Sequence, residues 1–168
     1  MESQKKYLSR KGFKITAMVI LMVLILLFIF AKYKHISPLS WNMHSKINQA
    51  VFGNEAIEGY DPVAYFKQAK AVKGEKTNSY IWNNATWYFL SPENINLFKN
   101  DPDKYAPQFG GYCSFAVSKG FTAKIDPFAW IIIDGRLYLF NDESFKNKWI
   151  EDERENLEKD KSNWPGIY

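Results

Sequence analysis

The sequence predicts an α+β fold: a small two-hairpin antiparallel sheet packed with short helices and a long C-terminal helix, preceded by one transmembrane helix. Three features point there. Ile15 to Ala31 runs for seventeen residues without a charge, Pro or Gly. Two stretches rich in aromatic and β-branched residues are each split by a two-residue turn, Asn83-Asn84 and Asp134-Gly135. Asp61-Pro62, Ser91-Pro92 and Asp101-Pro102 each join a capping side chain to a proline pre-set for the first helical turn.

At 1.5 Å of rise per residue the apolar run covers about 25 Å, close to the minimum for a bilayer crossing. Lys5, Lys6, Arg10, Lys11 and Lys14 precede it, and Lys32 and Lys34 follow. The heavier positive flank stays in the cytoplasm, which places the amino terminus inside and the rest of the chain outside. A cleaved signal peptide has the same charged start. However, its apolar core is usually ~7–15 residues long, and no small-x-small cleavage signature follows here. The expected organisation is a cytoplasmic basic tail over 1–14, a transmembrane helix over 15–33, a juxtamembrane linker over 34–53 and one folded domain over 54–168.

Within the linker, Ser45 to Phe52 is compatible with a short helix. Asp61 caps a short turn over Val63 to Phe66. Ser79 to Trp82 and Ala85 to Leu90 form the first hairpin, because Asn tolerates the left-handed conformation of a tight turn. Ser91-Pro92-Glu93 opens a helix with Ile95, Leu97 and Phe98 as its apolar contacts, and Asp101-Pro102 starts a second turn ending near Tyr105. Pro107 to Cys113 reads as a loop, in which Gly110 and Gly111 permit close approach of other groups. Asp126-Pro127 starts a further turn. Ala129 to Ile133 and Arg136 to Phe140 form the second hairpin. Asn141 caps a final helix to about Lys161, with Phe145, Trp149 and Leu157 as a sparse apolar stripe and residues 151–155 as a solvated face.

The formal charge of +4 misleads, because seven of the 22 Lys and Arg flank the apolar run. From Ile36 onward 15 basic residues face 17 acidic ones, a net of −2. That balance argues against nucleic-acid binding by the folded part. Thirteen Phe, ten Tyr and six Trp supply ample material for a packed core. One cysteine, Cys113, allows no intramolecular disulfide, so packing must hold the domain together.

The chemistry available is narrow. The two histidines, His35 and His44, precede the domain, which leaves no Ser-His or Cys-His pair and no ordinary general base within it. Gly110-Gly111 does not open a helix after a strand, so it is no phosphate loop. Cys113 is the sharpest candidate: backbone N–H groups after the glycines could lower its pKa and let it bind Cu(I) or react with an oxidant, or it is a small buried apolar residue. Met43-His44 with His35 could relay a copper ion, or form an ordinary linker. Tyr60, Tyr65, Tyr105 and Tyr112 could aim phenol hydroxyls at a ligand, or belong to the core. Asp61 reads as a helix cap.

Gly59-Tyr60-Asp61-Pro62-Val63-Ala64-Tyr65-Phe66, Trp87 to Glu93, Phe98, Asp101-Pro102, Lys104-Tyr105 and Gly110-Gly111-Tyr112-Cys113 together resemble the YHS domain family, over about Asn54 to Tyr168. The resemblance implies an extracytoplasmic α+β domain with metal binding, copper above all, as its associated activity. The family's metal-handling pattern has Asp-Pro-Val-Cys near the start and Phe-Cys-Ser-x-x-Cys before the helix. Ala64, Leu90 and Asn94 stand at those cysteine positions here. The expected function is a membrane-anchored, non-enzymatic domain that binds copper or another metal through Cys113, with Tyr60, Tyr65 and Tyr112 lining a ligand site. A metal-free structural or interaction module, or a thiol redox role for Cys113, is the alternative.

Overall fold

The structure, a computed structural model, describes residues 16–27, 45–50 and 53–167. Residues 16–27 are helical, as the apolar run predicts. Among the described residues, no helix is long and apolar enough to cross a membrane. The remainder of the expected span, the basic tail, and His35, Met43 and His44 lie outside the described residues.

The body is α+β. After a 3-10 turn at Ile57–Gly59 come α1 (Pro62–Gln68), β1 (Glu75–Trp82), β2 (Ala85–Phe89), α2 (Pro92–Asn100) and α3 (Pro102–Tyr105). A second 3-10 turn at Gln108–Gly111 leads into α4 (Ser114–Ser118), β3 (Asp126–Ile133), β4 (Arg136–Phe140), α5 (Glu143–Glu151) and α6 (Glu153–Asn163).

All three Pro-marked starts form. Asp61 accepts from the Val63 and Ala64 amides, Ser91 from Asn94 and Asp101 from Lys104. Both hairpins form with left-handed turn residues: φ is 50° and 59° at Asn83 and Asn84, and 50° and 70° at Asp134 and Gly135. Each pairs antiparallel in its own two-stranded sheet. The two do not join, and their second strands take other neighbours. Thr86 of β2 bridges Glu55, and Leu139 of β4 bridges Cys113.

The second hairpin is apolar on both faces because both are covered. Trp130, Ile132, Leu137 and Leu139 face a first core built on Trp87, Phe89 and Phe98. Ala129, Ile131, Tyr138 and Phe140 face a second core with Cys113, Val117 and Trp149. Phe98 is the hub of the first, with the rings of Trp87, Phe89 and Trp82 centred 5.1, 5.3 and 5.6 Å away.

Three local expectations change, and one short helix is added. Residues 45–50 do not form a helix; Gln49 pairs with Ala56, and Ile47 is buried in the first core. Asp126 belongs to β3 and not to a separate turn; its carboxylate accepts the Phe128 amide where the β3–β4 register shifts. Ser114–Ser118 is a short helix that directly follows the expected loop, before the second hairpin. The final helix breaks in two at Asp152, and its cap is Asp142, which accepts the Phe145 amide, in place of Asn141. The break lets α6 return to α5: Asn156 Nδ2 donates to the Trp149 carbonyl, and Trp149 Nε1 donates to Asp160.

Candidate functional site

The Gly-Gly turn receives its close approach from the protein's own chain. Phe109, Gly110 and Gly111 have φ of 53°, 62° and 77°, and Ile57, Glu58 and Gly59 form a matching left-handed turn at 43°, 56° and 75°. A Cβ at Gly111 would sit 2.6 Å from Ile57 Cγ2. Asn48 stitches the two turns together. Its amide donates to Gly110 O at 2.8 Å, its side chain donates to Gly111 O at 2.9 Å, and its carbonyl accepts from Ile57 at 3.0 Å. The space Gly110 opens is filled by the Lys46 carbonyl and the Trp164 ring, and the space at Gly111 by Ile57, Pro107 and Leu139.

Cys113 stands at the N-cap position of α4, where its side chain makes no capping hydrogen bond, and is 2% exposed. Burial pushes its thiol up to about 11, against backbone hydrogen bonds from Ala116, Asn141 and Phe115 that lower it. The thiol is therefore protonated near neutral pH. The expected activation by free amides is outweighed by desolvation. Among the described residues, no group of three or more His, Cys, Asp or Glu could hold a metal ion.

The candidate tyrosines do not share one site: Tyr60, Tyr65 and Tyr105 pack in or against the first core and Tyr112 in the second. Tyr65 is buried, donates its hydroxyl to the Pro127 carbonyl at 3.0 Å and packs edge-on against Trp130. Burial, then the nearby Tyr60, Asp126, Glu58 and Asp61, pushes its phenol well above the ordinary value. Tyr112 donates to the Ser45 carbonyl at 3.1 Å, and burial raises its phenol too. Tyr105 packs edge-on against Phe66. Tyr60 is half-buried against the first core, with Phe128 at its edge and Lys73 Nζ 5.1 Å above its ring.

The polar convergence lies at Asp61. The carboxylate is fully buried. Oδ1 accepts from Val63 and Ala64; Oδ2 accepts from the Leu90 amide at 2.8 Å and from Asn94 Nδ2 at 2.6 Å. The Ala64 and Leu90 amides and the Asn94 side chain thus meet on one carboxylate. In this chain the locus holds a saturated hydrogen-bond node that ties α1 to the β2–α2 junction. Asp61 caps the helix, as its sequence position implies, and its second oxygen does more than a cap. Nothing local in the sequence could reveal this, because Asp61 and Asn94 lie 33 positions apart.

Asp160 was also not legible as a special group. It sits in a run of charges, yet it is fully buried, and its Oδ2 accepts from Trp149 Nε1 at 2.8 Å. Burial raises its carboxyl to about 7, with the Trp149 hydrogen bond and Lys119 opposing the rise.

No family model matches the chain, and neither a curated protein nor a solved structure matches it.

Proposed function

We propose that the chain is a YHS-type module, anchored by residues 15–33 with the following domain extracytoplasmic, that works by non-covalent recognition through its surface and catalyses no reaction. The observation that supports this best is the state of Cys113, the one thiol in the sequence. It is enclosed in a core and held protonated, whereas soft metals need a thiolate with two or three further donors. The second support is the node at Asp61. Asn94 gives its side-chain amide to the carboxylate at a position where the pattern that the sequence resembles has cysteine. The charge asymmetry about the apolar run supports the topology.

The test is a Cu(I) titration against a chelator of defined affinity, on the full chain in detergent and on Cys113→Ala. This reading expects the two to compete equally weakly. Stoichiometric binding by wild type that the substitution abolishes makes Cys113 a metal ligand and replaces this reading with the copper one.

A further inference from the structure

Among the described residues of the body, two large apolar side chains are exposed: Ile81 at 71% and Phe128 at 65%. They come from different hairpins, yet one continuous surface connects them. On the outer face of the first hairpin, Ile81 opposes Thr86 and Ser79 opposes Tyr88, which makes Ile81 and Tyr88 diagonal neighbours. The Tyr88 ring lies over Gly59, 3.1 Å from where a Cβ would be, and Lys73 Cε lies 3.8 Å from the same point. Lys73 Nζ sits over Tyr60, whose ring meets Phe128 edge-on at 5.8 Å. The result is an aromatic band with an apolar residue at each end and an ammonium in the middle.

A basic segment runs into this band. Lys67, Lys70, Lys73 and Lys76 recur at every third position, all are exposed, and Glu75 is the one acid among them. The body as a whole is mildly acidic, so this is a local reversal of charge. Composition averages over the whole body and hides it.

We infer that this face docks on an anionic bilayer surface, with Phe128 and Ile81 entering the headgroup–acyl boundary and the lysines meeting lipid phosphates. The inference rests on the anchored reading above. Chain length and chemistry together select this occupant. Only 13 residues, 32–44, separate the apolar run from the first described residue of the body, Ser45. Even fully extended, they reach about 45 Å, which keeps the body within reach of the membrane that holds its anchor. Tyr and Lys are the side chains that favour the interface, and each basic residue near an anionic surface strengthens the attraction. A soluble partner would have to displace a surface already held at high effective concentration.

The test uses the full chain in nanodiscs of mixed phosphatidylcholine and phosphatidylglycerol, in a Cys113→Ala background. A nitroxide is placed at Ser79→Cys on the proposed face, at Glu158→Cys on exposed α6, or at Leu21→Cys within the apolar run. Collision with a water-soluble nickel chelate and with oxygen reports depth. The label at 79 is expected to lose nickel access severalfold relative to 158. Adding Ile81→Glu and Phe128→Glu, at positions exposed enough to leave folding intact, restores access, and pure phosphatidylcholine weakens the protection. Equal nickel access at 79 and 158, with 21 in lipid, overturns the docking face and leaves the anchor standing. A label at 21 in water overturns the anchor and this inference with it. Spin–spin broadening between labels at 79 on two copies assigns the face to a second copy and overturns the lipid assignment.

Discussion

Asn94 Nδ2 donates to Asp61 Oδ2 at 2.6 Å, with both residues buried, joining the start of α1 to α2. The same carboxylate takes three backbone amides. A buried acceptor with four donors is costly to remove, because donors such as the Asn94 amide lose this partner in a low-dielectric interior, although Ala64 keeps the Asp61 carbonyl at 3.3 Å.

Asp61→Ala should therefore destabilise the protein by on the order of 3–5 kcal/mol. Asp101→Ala removes an exposed cap with one hydrogen bond and should cost about 1 kcal/mol. Denaturant unfolding of the full chain in detergent, followed by tryptophan fluorescence, ranks them. Equal effects would mean that Asp61 is only a cap.

Asp160 gives the protein a pH-dependent stability. Its folded carboxyl is raised from 3.8 to about 7, so between those values the folded state binds the proton that the unfolded state has released. Stability contributed here is fully present below about pH 4 and is lost as pH rises toward 7. Asp160→Asn keeps an acceptor for Trp149 Nε1 and has no proton to lose. It should flatten that slope and raise stability at pH 8 by on the order of 2 kcal/mol. Thermal unfolding of both proteins across pH 4 to 8 is the check. Identical slopes contradict the assignment.

Gly110→Ala and Gly120→Ala separate close packing from conformational strain. Both sites have left-handed φ, 62° and 86°. A Cβ at Gly110 would lie 2.0 Å from the Lys46 carbonyl oxygen, whereas nothing lies within 4 Å at Gly120. The first should lose at least about 3 kcal/mol and the second about 1 kcal/mol, measured by the same denaturant unfolding.

Tyr65→Phe removes the hydroxyl that donates to Pro127 and should cost about 1–2 kcal/mol. A hydroxyl held for a ligand would give the opposite result, with stability unchanged.

How much of this was legible depends on the range of the forces involved. Helix starts at Asp61, Ser91 and Asp101 and turns at Asn83-Asn84 and Asp134-Gly135 are set by neighbours one to three residues away, and all formed where the sequence placed them. The final helix reads as continuous because Asp152 has no local signal to stop it. The break follows from the long-range gain of burying Trp149 against Asn156 and Asp160. Ser114–Ser118 is too short to show a helical period. Gly110-Gly111 signals a close approach but does not say by what, and the answer is the Lys46 carbonyl at Gly110 and the Ile57 side chain at Gly111, each more than fifty positions away. Cys113 looks reactive from its glycine neighbours, while the β4 strand and α5 that enclose it are remote in sequence.

The central claim is that Cys113 is a sealed core residue, and thiol labelling of the native full chain tests it most directly. With a small alkylating reagent near pH 8, the account predicts labelling slowed by orders of magnitude relative to denatured protein, at a rate that rises with denaturant in step with global unfolding. Prompt stoichiometric labelling of the folded protein, independent of denaturant, would contradict it and return Cys113 to the surface as a working thiol.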